Sequence, residues 1–328
     1  MLVVGLTYDL RDDYIAAGMP PEQAAEFDSR ETIDLLERAI ARAGYRTDRI
    51  GQARELARRL VAGDRWDLVF NIAEGVSGRG RESQVPCLLE LYGIPYTFSD
   101  PLVCATTLDK AVAKQLIRAA GLQTAPYRLI EDGSQCASVD LEYPLFAKPL
   151  AEGTSKGIDG RSRIDSPAAL ADTCRHLLAR FRQPVLVEEF LPGREFTVGL
   201  LGSGADTRVL GIMEVQLRSG DELIYSYETK ERCEELINYR RATDDPIAPQ
   251  LCELALESYR TLQMRDAARV DIRCDRRGVP CFIEANPLPG LHPSHSDLPM
   301  IATGEGMDYA RLIGGIIESA RSRNGGAR

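Results

Sequence analysis

Short apolar runs alternate with segments of helical periodicity through the first part of the chain. Leu2 to Tyr8 (LVVGLTY) reads as a strand, and the segment from Asp28 to Ala43 sets Ile33, Leu36, Ile40 and Ala43 on one helical face before Gly44 ends it. A strand over about Tyr45 to Ile50, a helix through Leu56 and Leu60, the strand WDLVFN and a helix around Pro86 to Leu91 continue the alternation to about residue 98. Strand and helix taking turns in this way predict a parallel sheet with helices on both faces.

The pattern then changes. ATTLDKAVAKQLIRAAG, residues 105–121, predicts a helix ending at Gly121. Beyond it, YPLFAKP, PVLVEEF, REFTVGLL and TRVLGIMEV are strands joined by glycine turns, which predicts antiparallel pairing. Leu251 to Leu262 is helical, and AARVDIRCD and VPCFIEAN are two strands joined by an Arg276-Arg277-Gly278 turn. A last helix precedes the tail SRNGGAR. The expected division is 1–100, a parallel α/β unit, then 101–185 and 186–328, two units containing antiparallel sheet, so the fold class is α/β with α+β character overall.

Composition narrows the function. The chain has 328 residues, 44% hydrophobic and 27% charged, enough to bury a core in two or three domains. A formal net charge of −9 without a long Lys/Arg run argues against a nucleic-acid or anionic-membrane partner and for a small-molecule one. The start MLVVGLTYDLRDDY has no basic segment leading into an apolar stretch and cleavage site, and no uncharged run approaches the ~18 residues of a spanning helix. A cytoplasmic location is therefore expected. The eight cysteines form no CxxC or Cys/His cluster, so they are expected to be reduced and structural, without a zinc site.

The stretch FNIAEGVSGRGRESQ, with Gly75, Gly78 and Gly80, imitates a phosphate-binding turn between strand and helix. A better cradle is FAKPLAEGTSKGI: Lys148 ends a strand, and Gly153, Thr154, Ser155, Lys156 and Gly157 form a loop able to fold backbone N–H groups over phosphates. VLVEEFLPGREF carries Glu188 and Glu195 as acceptors for an adenine amino group and a ribose hydroxyl, or else as solvated strand-end charges. Asp271 and Glu284 sit on strands joined by a tight turn, with Asn286 two residues on, so alternation puts Glu284 and Asn286 on one face. Magnesium accepts few protein carboxylates and completes its octahedron with phosphate and water, so this trio fits a metal-nucleotide site better than a calcium cage. Arg269, two residues before Asp271, points to the same side and can neutralise a developing anion.

The order LDKAVAK, YPLFAKPLAEGTSKGI, VLVEEFLPGREFTVGL, ARVDIRCDRRGVPCFIEANPLPG and SHSDLP, colinear from about Trp66 onward, resembles the ATP-grasp ligases, nearest to the D-alanine–D-alanine ligase family. The resemblance implies an ATP-grasp fold, with a Rossmann-like N-terminal domain and two subdomains gripping ATP. It also implies an ADP-forming reaction that joins two amino acids through an acylphosphate. Carried over by position, Lys110 and Lys148 would contact phosphates, the loop from Gly153 would close over them, Glu188 and Leu191 would sit at adenine, and Glu195 would hold the ribose. Asp271, Glu284 and Asn286 would bind two magnesium ions, with manganese as a substitute. Arg269 and the Gly290 N–H would stabilise the tetrahedral oxyanion, and Ser296 and Lys230 would take the acceptor's carboxylate. The family also suggests a homodimer. Of the three histidines, His295 is nearest the implied acceptor site, where an orienting contact is expected rather than catalysis.

Departures from the family gather on the substrate side. The usual N-terminal Ser and Glu that hold a donor ammonium have no copy in VGLTYDLRDDYIAAG, where Asp9, Asp12 or Asp13 could substitute. Glu74 replaces a histidine, and Arg79-Gly80-Arg81 crosses an acidic run. These arginines either meet a second carboxylate on the donor or pair with Glu74 and Glu82. Glu231 follows Lys230 in place of a tyrosine, and Asp297 follows Ser296 in place of an apolar residue. The expectation is an amino-acid ligase with a donor other than D-alanine, Glu74, Arg79, Arg81 and Ser296 lying at the substrates. The alternatives are D-alanine–D-alanine ligase itself and a nucleotide-binding regulatory module without turnover. The intact set Arg269, Asp271, Glu284 and Asn286 disfavours the last.

Overall fold

The computed structural model describes residues 2–217 and 237–325. Strand β1 (Val3–Thr7) lies between β2 (Arg46–Gly51) and β3 (Leu68–Asn71), parallel to both. Strand alternation decides what covers each face. Val4, Leu6, Leu68 and Phe70 join Ile33, Leu36 and Ile40 of the helix Arg30–Arg42, while Val69 joins Leu56, Leu60, Val85 and Leu89 on the opposite side. Ser29 starts the first of these helices by accepting a hydrogen bond from the Thr32 N–H, so the helix begins two residues later than its apolar periodicity indicates.

The first core is completed from the far end of the chain. Leu312, Ile313, Ile316 and Ile317 of the helix Tyr309–Gly325 are fully buried in the same cluster as Val4 and Phe70. The last helix thus covers one face of the N-terminal sheet, a relationship that boundaries drawn along the sequence do not convey.

Two antiparallel sheets follow. In the middle sheet β4 (Tyr127–Ile130), β5 (Leu145–Pro149), β6 (Arg163–Ile164) and β7 (Val185–Glu189) lie in the order β4-β7-β5-β6. Its core is closed by Leu170, Cys174 and Leu177 of the helix Pro167–Phe181. The C-terminal sheet has β8 (Glu195–Leu201), β9 (Arg208–Leu217), β10 (Ile237–Arg241), β11 (Ala267–Cys274) and β12 (Pro280–Asn286) in the order β10-β9-β8-β11-β12. The chain is therefore mixed α/β, one parallel sheet preceding two antiparallel ones among the described residues.

The segment expected to form one helix over residues 105–121 is two, Pro101–Leu108 and Lys110–Ala119. Asp109 is the cause. Its backbone is extended and its side chain accepts from the Val112 N–H, so it caps a new helix instead of continuing the old one. Among the described residues no helix is long and apolar enough to cross a membrane.

Candidate active site

Strand register assembles the first part of the site. β11 and β12 pair so that Asp271 stands opposite Glu284 and Arg269 opposite Asn286, while β8 places Thr197 opposite Asp271 on the other edge. The Asn286 amide donates to Asp271 Oδ2 at 3.3 Å and the Thr197 hydroxyl to Asp271 Oδ1 at 3.0 Å. Arg269 lies 3.5 Å from Asp271 and forms a close ion pair with Asp297 at the start of the helix Asp297–Gly304. The side expected for Arg269 from alternation is the side it occupies. Two carboxylates and an amide oxygen on neighbouring strands form a hard donor set that suits magnesium.

The antiparallel pairing of β5 with β7 builds the second part, bringing Lys148 and Glu188 to the same region. Glu188 bridges two buried lysines, Lys148 at 3.1 Å and Lys114 at 2.8 Å. Burial pushes the Glu188 carboxyl up, but Lys114 and Lys148 together outweigh it and draw the group down to about 2. Lys114 was not singled out from the sequence, although LDKAVAK places it one helical turn after Lys110 on the same face. Lys110 itself donates to the Glu152 carbonyl at 2.7 Å and lies 3.5 Å from Glu284.

Glu188, Leu191, Glu195, Lys148, Thr154 and Ser155 line a cavity of about 110 Å³ between the two antiparallel sheets. Glu195 is held by Arg273 at 3.1 Å across the β8–β11 register. Thr154 and Ser155 take left-handed backbone, with φ of 52° and 53°, which turns their loop back on itself. The loop is fastened by Lys156, whose ammonium sits 3.0 Å from Glu26 and 2.7 Å from Glu152.

A larger cavity, about 470 Å³, adjoins it. Gly153, Lys110, Glu74, Arg81, Gly290, Asn286, His295 and Ser296 all line it. Gly290 is needed for the turn there, because a Cβ would come within 2.8 Å of Ser296 Oγ. That hydroxyl accepts from the His292 N–H at 3.0 Å, so Ser296 braces the turn at the cavity wall. Arg269, Glu284, Asp297 and Thr154 line both cavities and form the partition between them.

The substrate-side expectations fare unevenly. Among the described residues neither Arg79 nor Arg81 forms an ion pair with Glu74 or Glu82, although Arg81 is near enough to lower both carboxyls. Arg79 is 81% exposed in its side chain and bonds Asp109 at 2.7 Å, outside the residues lining the cavity. Arg81 donates to the Ala151 carbonyl at 2.9 Å and lies 3.2 Å from Glu26, so it ties the opening loop to the loop after β5. Asp9 is also occupied, accepting from the Gly75 N–H at 2.9 Å and from the Tyr14 hydroxyl at 2.6 Å. Asp12 and Asp13 are exposed and do not line the cavity. In their place stand Glu26 and Asp28, on a turn-rich segment that Arg11 clamps through the Ala25 and Phe27 carbonyls. No periodicity or motif marks that segment in the sequence. Lys230 lies outside the described residues.

The family model for the D-ala D-ala ligase C-terminus matches residues 116–318. A Sinorhizobium fredii protein named uncharacterized protein y4sG is 34% identical over 266 residues, covering 78% of this chain and 75% of that one. The D-alanine–D-alanine ligase of Bordetella petrii is 34% identical over 273 residues, 81% of this chain and 79% of that one. The crystal structure of VanG D-Ala:D-Ser ligase from Enterococcus faecalis superposes with a TM-score of 0.74 at 20% identity, covering 97% of this chain and 99% of that one, and supports the fold. The chain belongs to the D-alanine–D-alanine ligase-like family of ATP-grasp, ATP-dependent and ADP-forming ligases.

Proposed function

We propose that the chain joins two amino acids into a dipeptide at the expense of ATP, through an acylphosphate, and that its donor is not D-alanine. One observation carries the reading: the cavity lined by Lys148, Glu188 and Glu195 and the larger cavity share the wall of Arg269, Glu284, Asp297 and Thr154. A γ-phosphate held on one side and a carboxylate held on the other meet there. The chemistry asks for positioning and charge compensation more than covalent help.

In the first step a carboxylate oxygen of the donor attacks the γ-phosphorus, and the bond to the β-phosphate oxygen breaks as ADP leaves. In the second, the neutral amine of the acceptor attacks the acyl carbon. The amide forms as phosphate departs with the donor's oxygen and the amine loses a proton. Lys148 and Lys114 supply positive charge on the nucleotide side, arranged by Glu188. Thr154 and Ser155 sit where their loop can cover the phosphates and keep water from the acylphosphate. Arg269, steadied between Asp271 and Asp297, faces the negative charge of the tetrahedral stage with the Gly290 turn nearby. Asp271, Glu284 and Asn286 would hold two magnesium ions, or manganese, which neutralise the transferring phosphate. Ser296 and His295 line the acceptor end. Reliance on ATP and amino acids accords with a cytoplasmic location.

The test is ADP release measured across a panel of donor and acceptor amino acids of both configurations, with product masses read in parallel. Amino-acid-stimulated ADP release with a dipeptide mass is expected. D-Alanyl-D-alanine as the dominant product would overturn the donor assignment, and no stimulation by any pair would overturn the ligase reading in favour of a nucleotide-binding module.

A further inference from the structure

The opening loop after β3 closes on itself. Gly75 has φ of 71°, and a Cβ there would lie 2.5 Å from the Arg81 carbonyl oxygen, so only glycine allows the two ends of the loop to meet. The Gly75 N–H is anchored on Asp9, which fixes the loop against β1. The consequence is that Glu74 and Glu82, eight positions apart in the chain, come together on the wall of the larger cavity.

These two carboxylates differ from the others nearby. Glu26 is answered by Arg81 and Lys156, and Glu152 by Lys156 and Gln183. Glu74 and Glu82 have neither an ion pair nor a hydrogen bond through their carboxylates among the described residues, although Glu82 is only 8% exposed and lines the cavity. Asp28 lines the same wall, and among the described residues its carboxylate has no ion pair or hydrogen bond, although Arg11 is near enough to lower it. Burial is the largest cause and pushes the Glu74 and Glu82 carboxyls upward; Glu82 and Glu26 raise Glu74 further and Glu26 raises Glu82, while Arg81 lowers both and Lys110 lowers Glu82 without outweighing burial. Buried carboxylates without partners need a proton or a cation from elsewhere. The arginines that could have received an anionic donor side chain are both engaged, Arg79 by Asp109 and Arg81 by Glu26.

We propose that the larger cavity selects an amino acid carrying a second cationic group, a side-chain ammonium or guanidinium, seated between Glu74 and Glu82 with Asp28 beside them. An α-ammonium alone answers one carboxylate, and this wall presents three. The inference rests on the reading of this cavity as an amino-acid site.

The test is calorimetric binding to the full chain in the presence of magnesium and a non-hydrolysable ATP analogue, with ornithine, lysine and arginine set against norvaline, norleucine and glutamate in both configurations. A cationic side chain is expected to bind at least ~10-fold more tightly than its neutral isostere, and the ratio is expected to collapse towards one in Glu74→Gln and Glu82→Gln. Equal or tighter binding of the neutral or acidic compounds would overturn the proposal, as would a preference undiminished in both variants. Thermal denaturation of each variant confirms folding before its ratio is read. Because binding is measured without turnover, cation-selective binding in a chain that releases no ADP would sink the ligase reading alone, whereas turnover of neutral amino acids without cation selectivity would sink this one alone.

Discussion

Arg269 is held by Asp297 in a close ion pair at the partition between the two cavities, with Asp271 3.5 Å away on the other side. From the sequence Asp297 was a substrate-side departure from an apolar residue; in the fold it touches the arginine expected to meet the oxyanion. A guanidinium fixed before the reaction needs no reorganisation when charge develops. Arg269→Ala should lower kcat by about 10²–10³, and Asp297→Asn, which keeps the arginine but loosens it, by about 10-fold. Steady-state kinetics on both variants checks this; an unchanged kcat in Arg269→Ala would remove the residue from the chemistry.

Glu284→Gln is expected to abolish dipeptide formation while leaving the fold intact, because it removes one of the two carboxylates offered to magnesium. Circular dichroism and product mass spectrometry together decide it. Normal turnover in this variant would show that the metal is held elsewhere.

The bridge from Glu188 to Lys114 and Lys148 carries a stability prediction. The Glu188 carboxyl is held at about 2 against an ordinary value of 4.5, so its contribution is present above the ordinary value and is lost as pH falls towards 2. Glu188→Gln leaves two buried ammonium groups without their carboxylate and should destabilise the chain by about 3–5 kcal/mol. Urea denaturation at pH 7 and pH 3 measures both effects, and the difference between wild type and variant should shrink at the lower pH.

Asp28 and Glu82 act in the opposite sense. Burial raises each to about 7 from ordinary values of 3.8 and 4.5, so the folded chain binds more protons than the unfolded one through that window. Their contribution to stability therefore falls as pH rises from about 4 towards 7. The melting temperature of the ligand-free chain should carry this negative slope, and Glu82→Gln should flatten it.

The Gly75 turn is expected to tolerate no side chain. Gly75→Ala meets the Arg81 carbonyl at positive φ and should cost about 1–3 kcal/mol, read as a lower denaturation midpoint.

The candidate-site residues carried on strands were legible in the sequence, because alternation and register follow from local pattern. Asp271, Glu284 and Asn286 could be placed from a tight turn and a period of two, and β11 and β12 pair accordingly. Lys114 was overlooked although a helical repeat from Lys110 pointed to it. The wall of the larger cavity around Glu74 to Glu82 was harder because it is built from turns whose partners lie far apart in the chain. Arg81 meets Glu26 across 55 positions, and Gly75 meets Asp9 across 66. Neither separation leaves a periodic trace, so the sequence leaves the arginines open to a donor carboxylate or to Glu74 and Glu82, whereas Asp109 and Glu26 occupy them.

The most direct test of the acylphosphate route follows oxygen. With a donor amino acid labelled with ¹⁸O in its carboxylate, magnesium and unlabelled ATP, the phosphate released with each dipeptide should carry one ¹⁸O, because the donor's oxygen leaves with phosphorus. Released phosphate with no label, alongside dipeptide formation, would contradict transfer of the γ-phosphate to the carboxylate.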